Sequence, residues 1–403
     1  MDRKQQDNYA GEPAAPESRH GHLREVAAVF LRLGLTAFGG PAAHIAMMRE
    51  EMVTRRKWVS QAQFIDLFGL ANIIPGPTST EMAIYLGYLR AGWPGLMLGG
   101  ICFIAPAMLI VMALGWLYVT YGALPQAGWL FYGIQPVVVA IVAQAIYSLG
   151  RTMLKSAWAL AGGAAVVALY LLGVNVLVLL FGAGAGLGAI MLVRNARGGR
   201  SLPGILLPLP LAGLTVGAVA AAAAPFSLGA LFLIFLKFGA VIYGSGYVLL
   251  AFIRTDLVQN LGWLTDRQLL DAIAVGQFTP GPLFTTATFI GYVLGGLPGA
   301  LLATLGIFLP SFAFVAVIHR LATRLRRSPV TAAILAGVNI AALGLMAGVL
   351  VQLGQNALID PATWVIAAAA LAVLVRFRPN SIWLILAGAL IGVVRFALLL
   401  PGQ

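Results

Sequence analysis

The chain has 403 residues, of which 60% are hydrophobic and only 9% charged, and its mean hydropathy is +0.93. A soluble domain carries roughly 25% charged residues, so this composition excludes an ordinary water-soluble fold and points to a chain built for lipid. The formal charge of +12 does not signal nucleic acid, because the basic residues form short clusters between apolar runs, as cytoplasmic loops of membrane proteins do.

Residues 1–24 are a polar tail with no apolar core or cleavage pattern, expected to be disordered and cytoplasmic rather than a removable signal. Residues 25–193 form a first unit of six elements. Two broken apolar segments near 25–48 and 64–90 are followed by four ordinary spans near 92–120, 128–150, 157–173 and 174–193. Residues 194–227 form a linker whose apolar stretch, Ile205 to Ala224, is expected to be a joining helix. A second unit, 228–403, repeats the six elements near 228–252, 269–295, 296–319, 330–355, 361–376 and 380–400.

The two units are copies. Phe30, Gly34, Gly39, Arg49, Trp58, Asp66, Pro75, Gly76 and Pro77 fall on Phe235, Gly239, Gly244, Arg254, Trp263, Asp271, Pro280, Gly281 and Pro282, at one offset of 205 residues. After one deletion the register resumes, with Gly87-Tyr88 on Gly291-Tyr292, Pro106 on Pro310, Gly184 on Gly388 and Gly188 on Gly392. Such a repeat fixes the architecture. Paired membrane halves interrupted by Gly and Pro at matching places point to a transporter with its site at the repeat interface.

Each loop that is basic in one copy is bare in the other. Uncharged sequence after residue 120 corresponds to Arg320, Arg324, Arg326 and Arg327, whereas Arg151 and Lys155 correspond to Asp360 alone. The next loop has no charge in the first copy against Arg376 and Arg378, and Arg194, Arg197 and Arg200 oppose a C-terminus holding only Arg395. Opposite phase means opposite orientation. The expected fold is an all-α polytopic membrane protein of two inverted repeats with broken, re-entrant helices, joined by one extra helix. Re-entrance places the basic loop from Arg49 to Lys57 inside, and broken backbone at membrane depth is tolerated where protein or a water-filled cavity covers it.

The candidate site is built on the breaks. Pro75-Gly76-Pro77 and Pro280-Gly281-Pro282 interrupt the helix, and new helices are expected to start at Thr78, Ser79 and Thr80 and at Thr285 and Thr286. A helix N-terminus exposes free N–H groups and about half a positive charge, which attracts anions. Arg32 and Lys237 share one repeat position inside apolar sequence. An isolated cation there costs about 2.5–3.5 kcal/mol and faces a cavity or a partner, so the pair can serve as counter-charges or snorkel to the headgroups. Gly39-Gly40-Pro41 and Gly244-Ser245-Gly246 can supply backbone N–H groups or simply let helices pack. Asn72 and Gln277 match one another three residues before the breaks. Glu81 has no acidic twin. It can couple transport to protons, or close a capping box with Thr78. Asp66 and Asp271 are expected to be N-caps. The lone Cys102 allows no disulfide, and neither a metal-ligand cluster nor a nucleophile motif stands out, so no cofactor or metal is implied.

The two copies of the FGG-type break, the entries Trp58, Gln63, Phe64 and Trp263, Gln268, Leu269, and the Pro-Gly-Pro with its following Gly-Tyr resemble the chromate ion transporter family in its long, two-domain form. The resemblance runs from about residue 25 to the end. It implies antiparallel halves and export of chromate from the bacterial cytoplasm through the inner membrane, with sulfate as a related tetrahedral dianion. It implies a lipid bilayer and an oxyanion as partners, no nucleic acid, and is compatible with a homodimer. The second copy departs from the pattern at Gly244-Ser245-Gly246.

Overall fold

A computed structural model describes residues 19–122, 124–197, 225–243, 246–318 and 328–399. Residues 1–18 of the expected tail, the joining helix Ile205 to Ala224, Gly244, Ser245 and the arginines at 320, 324, 326 and 327 lie outside these described residues, while residues 19–24, expected to be disordered, are helical. Within them the fold is all-helical. The first copy contains α1 (Arg19–Thr36), α2 (Gly40–Arg49), α3 (Gln61–Ala71), α4 (Thr78–Tyr121), α5 (Pro125–Met153), α6 (Ala157–Leu171) and α7 (Val176–Arg197). The second contains α8 (Leu228–Val241), α9 (Leu249–Ile253), α10 (Asp266–Phe278), α11 (Thr286–Ile318), α12 (Pro329–Ala357), α13 (Pro361–Phe377) and α14 (Ser381–Leu399). Helix α2 runs on into a π-helical turn, Glu50–Arg55, and α9 into its counterpart Arg254–Asn260.

Five helical stretches are long and apolar enough to cross a membrane, and four shorter apolar helices accompany them. Large apolar side chains cover the outside, among them Leu160, Val317, Trp364, Val365 and Leu390, as expected where the surroundings are lipid. This is a multi-pass membrane protein.

Helix α4 is longer than one crossing, because 44 residues would extend about 66 Å at 1.5 Å per residue. It reverses at Ala91 and Gly92, whose backbone is not helical. A Cβ on Gly87 would stand 2.2 Å from the Gly95 carbonyl, and one on Gly99 would stand 2.5 Å from the Ala83 carbonyl. The two arms are therefore antiparallel and touch through glycine. Helix α11 repeats the reversal at Gly295 and Gly296, with Thr288 and Thr304 hydrogen-bonded across its arms at 2.7 Å.

The ends of the broken elements meet. Glu25 pairs with Arg56 and Arg90 at 2.7 Å and accepts a hydrogen bond from Trp58 Nε1. Residues 25, 56 and 90 thus share one level, and each of the first two elements returns to the face it left. In the second copy Phe226 packs on Trp263 and lies beside Gly295, which gives the same closure.

Pairing between helices is symmetric. α1 packs on the α4 hairpin as α8 packs on the α11 hairpin, and the two hairpins pack on each other. α5 takes α13 and α14 from the other copy, while α12 takes α6 and α7. These exchanged contacts rest on glycine: a Cβ on Gly133 would stand 1.8 Å from the Gly388 carbonyl, and one on Gly337 would stand 2.3 Å from the Ala183 carbonyl. Without a hydrophobic force between helices in lipid, such close backbone approach is what holds them. Tyr132, near the start of α5, donates to Asp360 just beyond α12, at 2.6 Å. Gly150, near the end of α5, faces Leu343 in the middle of α12. The repeat-equivalent helices α5 and α12 therefore run antiparallel.

Candidate functional site

Each Pro-Gly-Pro break is clasped by the other copy. The Gly76 N–H donates to the Ile242 carbonyl at 2.7 Å, and the Gly281 N–H donates to the Ala37 carbonyl at 2.9 Å. Ala37 and Ile242 are themselves repeat equivalents, so the two bonds form a reciprocal pair. Both glycines have positive φ, 133° and 92°, a conformation that residues with a side chain rarely adopt. His44 Nε2 donates to the same Ala37 carbonyl at 3.0 Å from a buried position beside Phe103. It positions the carbonyl that receives Gly281, a role the sequence reading did not assign.

Helix α4 starts at Thr78 directly after Pro77. Thr80 and Glu81 donate their N–H groups back to the Pro77 carbonyl, whereas the N–H groups of Thr78 and Ser79, one turn in, have no intrahelical carbonyl to reach. The side chains of Thr78, Ser79, Thr80 and Glu81 are buried. No side chain caps this helix, so the Thr78–Glu81 capping box, one of the two readings of Glu81, is absent. The second copy is different. After Pro282 a 3-10 turn, Leu283–Thr285, precedes α11, and the Thr285 and Thr286 hydroxyls donate to the carbonyls of Pro282 and Leu283 at 2.8 Å. Those hydroxyls are spent on backbone.

A polar cavity of about 340 Å³ opens between the two copies. Gly39 reaches it from the first copy and Gln277 from the second, with Gln144, Tyr247, Arg378 and Asn380 around them. Tyr247 is hydrogen-bonded to Gln277. A separate space of only about 10 Å³, sharing Gly39, Tyr247 and Gln277, is lined by Gly40, Pro41, Thr279 and Gly281. Arg378 holds a left-handed backbone, φ 51°, at the end of α13. Gly39, Gly40, Gln277 and Gly281 of the second break are brought together here, whereas Pro75, Gly76, Pro77, Thr78, Ser79 and Thr80 line neither space. Asn72 is not part of this cavity's lining: its amide donates to the Phe68 carbonyl at 2.8 Å and it is exposed.

Arg32 and Lys237 are each committed to a carboxylate of their own copy. Arg32 pairs with Glu51 at 2.6 Å, and Lys237 pairs with Asp256. Glu51 and Asp256 occupy one repeat position, so the ion pairs are equivalent and tie α1 and α8 to the π turns. Burial pushes the Glu51 carboxyl up, but hydrogen bonds from Arg56 and Arg32 hold it below the usual carboxylate range. The Arg32 side chain is 50% exposed and that of Lys237 only 12%, so water screens the first pair more strongly. Double-mutant cycles on thermal stability are expected to give Lys237–Asp256 about 1 kcal/mol of coupling or more and Arg32–Glu51 about half that or less. Equal couplings would contradict the screening argument.

The expected N-caps are corrected. Ser60 and Thr265 cap α3 and α10, each in a full capping box with Gln63 and Gln268. Asp66 lies exposed within α3. Asp271 is buried within α10 and accepts hydrogen bonds from Gln135 Nε2 and the Tyr118 hydroxyl, both at 2.9 Å. The network joins α4, α5 and α10 across the two copies.

A family model described as Chromate transporter matches residues 24–189 and again 229–393. The Chromate transport protein of Cupriavidus metallidurans is 34% identical over 94% of this chain and 94% of its own length. The Probable chromate transport protein of Synechococcus elongatus is 33% identical over 87% and 89%. The Chromate transport protein of Pseudomonas aeruginosa is 35% identical over 81% and 80%. No solved structure matches the chain. With a repeated break, two copies matched by the same model and relatives aligned nearly end to end, the chain belongs to the chromate transporter family.

Proposed function

We propose that the protein is a secondary transporter that exports chromate across the bacterial inner membrane and so confers chromate resistance, with its N-terminus in the cytoplasm. The observation that carries the reading is the reciprocal clasp of Gly76 on Ile242 and Gly281 on Ala37. It ties each break to the other copy, and inverted-repeat transporters place substrate at the interface between repeats. Gly39, Gln277 and Arg378 around the cavity, and separately the free N–H groups at the start of α4, supply hydrogen-bond donors and one positive charge that suit a tetrahedral anion. Arg32 and Lys237 serve this site by fixing α1 and α8, and reach the anion only if their carboxylates let go.

The antiparallel course of α5 and α12 and the alternating basic loops support inverted halves. Tyr132, Asp360 and Arg395 form one cluster, and the charge pattern assigns all three to the outer face. With the cytoplasm negative, each charge leaving gains about 2.3 kcal/mol per 100 mV, so the potential alone can drive anion efflux. The relatives' names describe transport, and we assign no bond-breaking chemistry to the chain.

Purified protein is expected to gain thermal stability with chromate, by about 2.7 kcal/mol at a hundredfold excess over Kd. Sulfate is expected to compete and phosphate to do so weakly. Stabilisation by sulfate without any by chromate would replace the export reading with uptake or exchange of another oxyanion.

A further inference from the structure

Among the described residues, Glu81 carries the buried carboxyl that has no hydrogen-bond partner. Glu81 is 0% exposed, and neither carboxyl oxygen has a hydrogen-bond partner among the described residues. The Thr80, Tyr85 and Ser311 hydroxyls are buried without partners as well. A Cβ placed on Gly76 would stand 2.5 Å from both Glu81 Oε1 and Ser311 Oγ. The carboxyl therefore lies against the Pro-Gly-Pro break, with α11 of the other copy closing over it. Tyr85 faces it from its own helix and Tyr243 from the segment that accepts the Gly76 hydrogen bond. No Lys, Arg or His faces it among the described residues.

Burying an ionised carboxylate with no donor and no counter-charge is among the costliest arrangements a protein can adopt, so this conformation accommodates the neutral acid. Acids at membrane depth belong to proton and ion pathways. The second copy has nothing comparable: Gly281 faces the methyl of Ala107 where Gly76 faces Ser311, and its threonine hydroxyls are bonded to backbone.

We propose that Glu81 binds a proton together with the transported oxyanion, so that one proton accompanies each anion through the protein. The inference rests on the reading of the breaks as the oxyanion site. An anion at the start of α4 lies within one turn of Glu81. An ionised Glu81 would repel it, while a neutral Glu81 removes the repulsion and offers an O–H donor. Proton and anion therefore favour one another's binding, and linkage makes the effect reciprocal. An O–H bond forms on Glu81 where the anion loads and breaks to water where it leaves. A dianion with one proton moves one net negative charge per cycle.

The test is calorimetric titration of the full-length protein with chromate and with sulfate, which stays a dianion at neutral pH, in buffers of different protonation heat. Close to one proton should be taken up per sulfate bound on the alkaline side, where affinity falls about tenfold per pH unit. Glu81→Gln should bind sulfate with no proton uptake and no such pH dependence. Proton uptake by Glu81→Gln equal to that of the natural protein would overturn the proposal, as would sulfate binding without protons by the natural protein. Failure to bind either anion at any pH would overturn the oxyanion site and this proposal with it. If Glu81→Gln does not fold, the natural protein in proteoliposomes decides: one charge carried per sulfate supports the proposal, and two overturn it.

Discussion

Gly76→Ala is expected to cut chromate accumulation in everted membrane vesicles by an order of magnitude or more. Gly76 sits at φ 133°, where a side chain costs about 1–3 kcal/mol of backbone strain. The added methyl would also stand 2.5 Å from Glu81 and Ser311. Relief of either strain pulls the Gly76 N–H from the Ile242 carbonyl and shifts the start of α4, and misplacement by about 1 Å at a site can cost about a hundredfold. Gly281→Ala should act in the same direction, with its methyl 2.8 Å from that of Ala107. Normal expression with unaltered uptake in both variants would remove the breaks from the transport path.

The second large effect is on assembly. Gly337→Val would drive its side chain into the backbone carbonyl of Ala183, 2.3 Å from the first added carbon. Backbone cannot step aside as a side chain can, so α12 and α7 must separate at a cost of about 3 kcal/mol. The melting temperature of the solubilised protein should fall sharply. Gly186→Val lies on the same helix α7 with open space around it and should leave melting nearly unchanged. Similar losses in both would show that bulk rather than the crossing point matters.

Much of the fold was legible because the repeat is written twice. Glycines 184, 188, 388 and 392 could be paired by offset alone, and the structure places them at the two helix crossings. The helix starts after Pro77 and near Thr286 follow from proline geometry, and the structure agrees. What the sequence hid was partnership. Arg32 and Lys237 read as counter-charges or as snorkelling cations, although Glu51 and Asp256 stand at one repeat position in both copies, and that match was the missing signal. The capping boxes Ser60–Gln63 and Thr265–Gln268 have a readable spacing, but Asp66 and Asp271 drew attention as the nearby acids. The bonds from Tyr118 and Gln135 to Asp271 cross the two copies, and no local pattern announces a contact 153 residues away. Arg378 read only as a basic loop residue until the fold brought it beside Gly39 and Gln277. Glu81 was visible as an acid without a twin, but its isolation appears only once Ser311 and Tyr243 close around it.

The claim on which these readings depend is that the clasped breaks pass chromate. Its most direct measurement is the initial rate of labelled chromate entry into everted vesicles energised to a positive interior. Vesicles carrying the natural protein should accumulate chromate well above vesicles lacking it, and collapse of the potential should abolish the difference. Accumulation no greater than in vesicles lacking the protein, with the protein present and folded, would contradict the account.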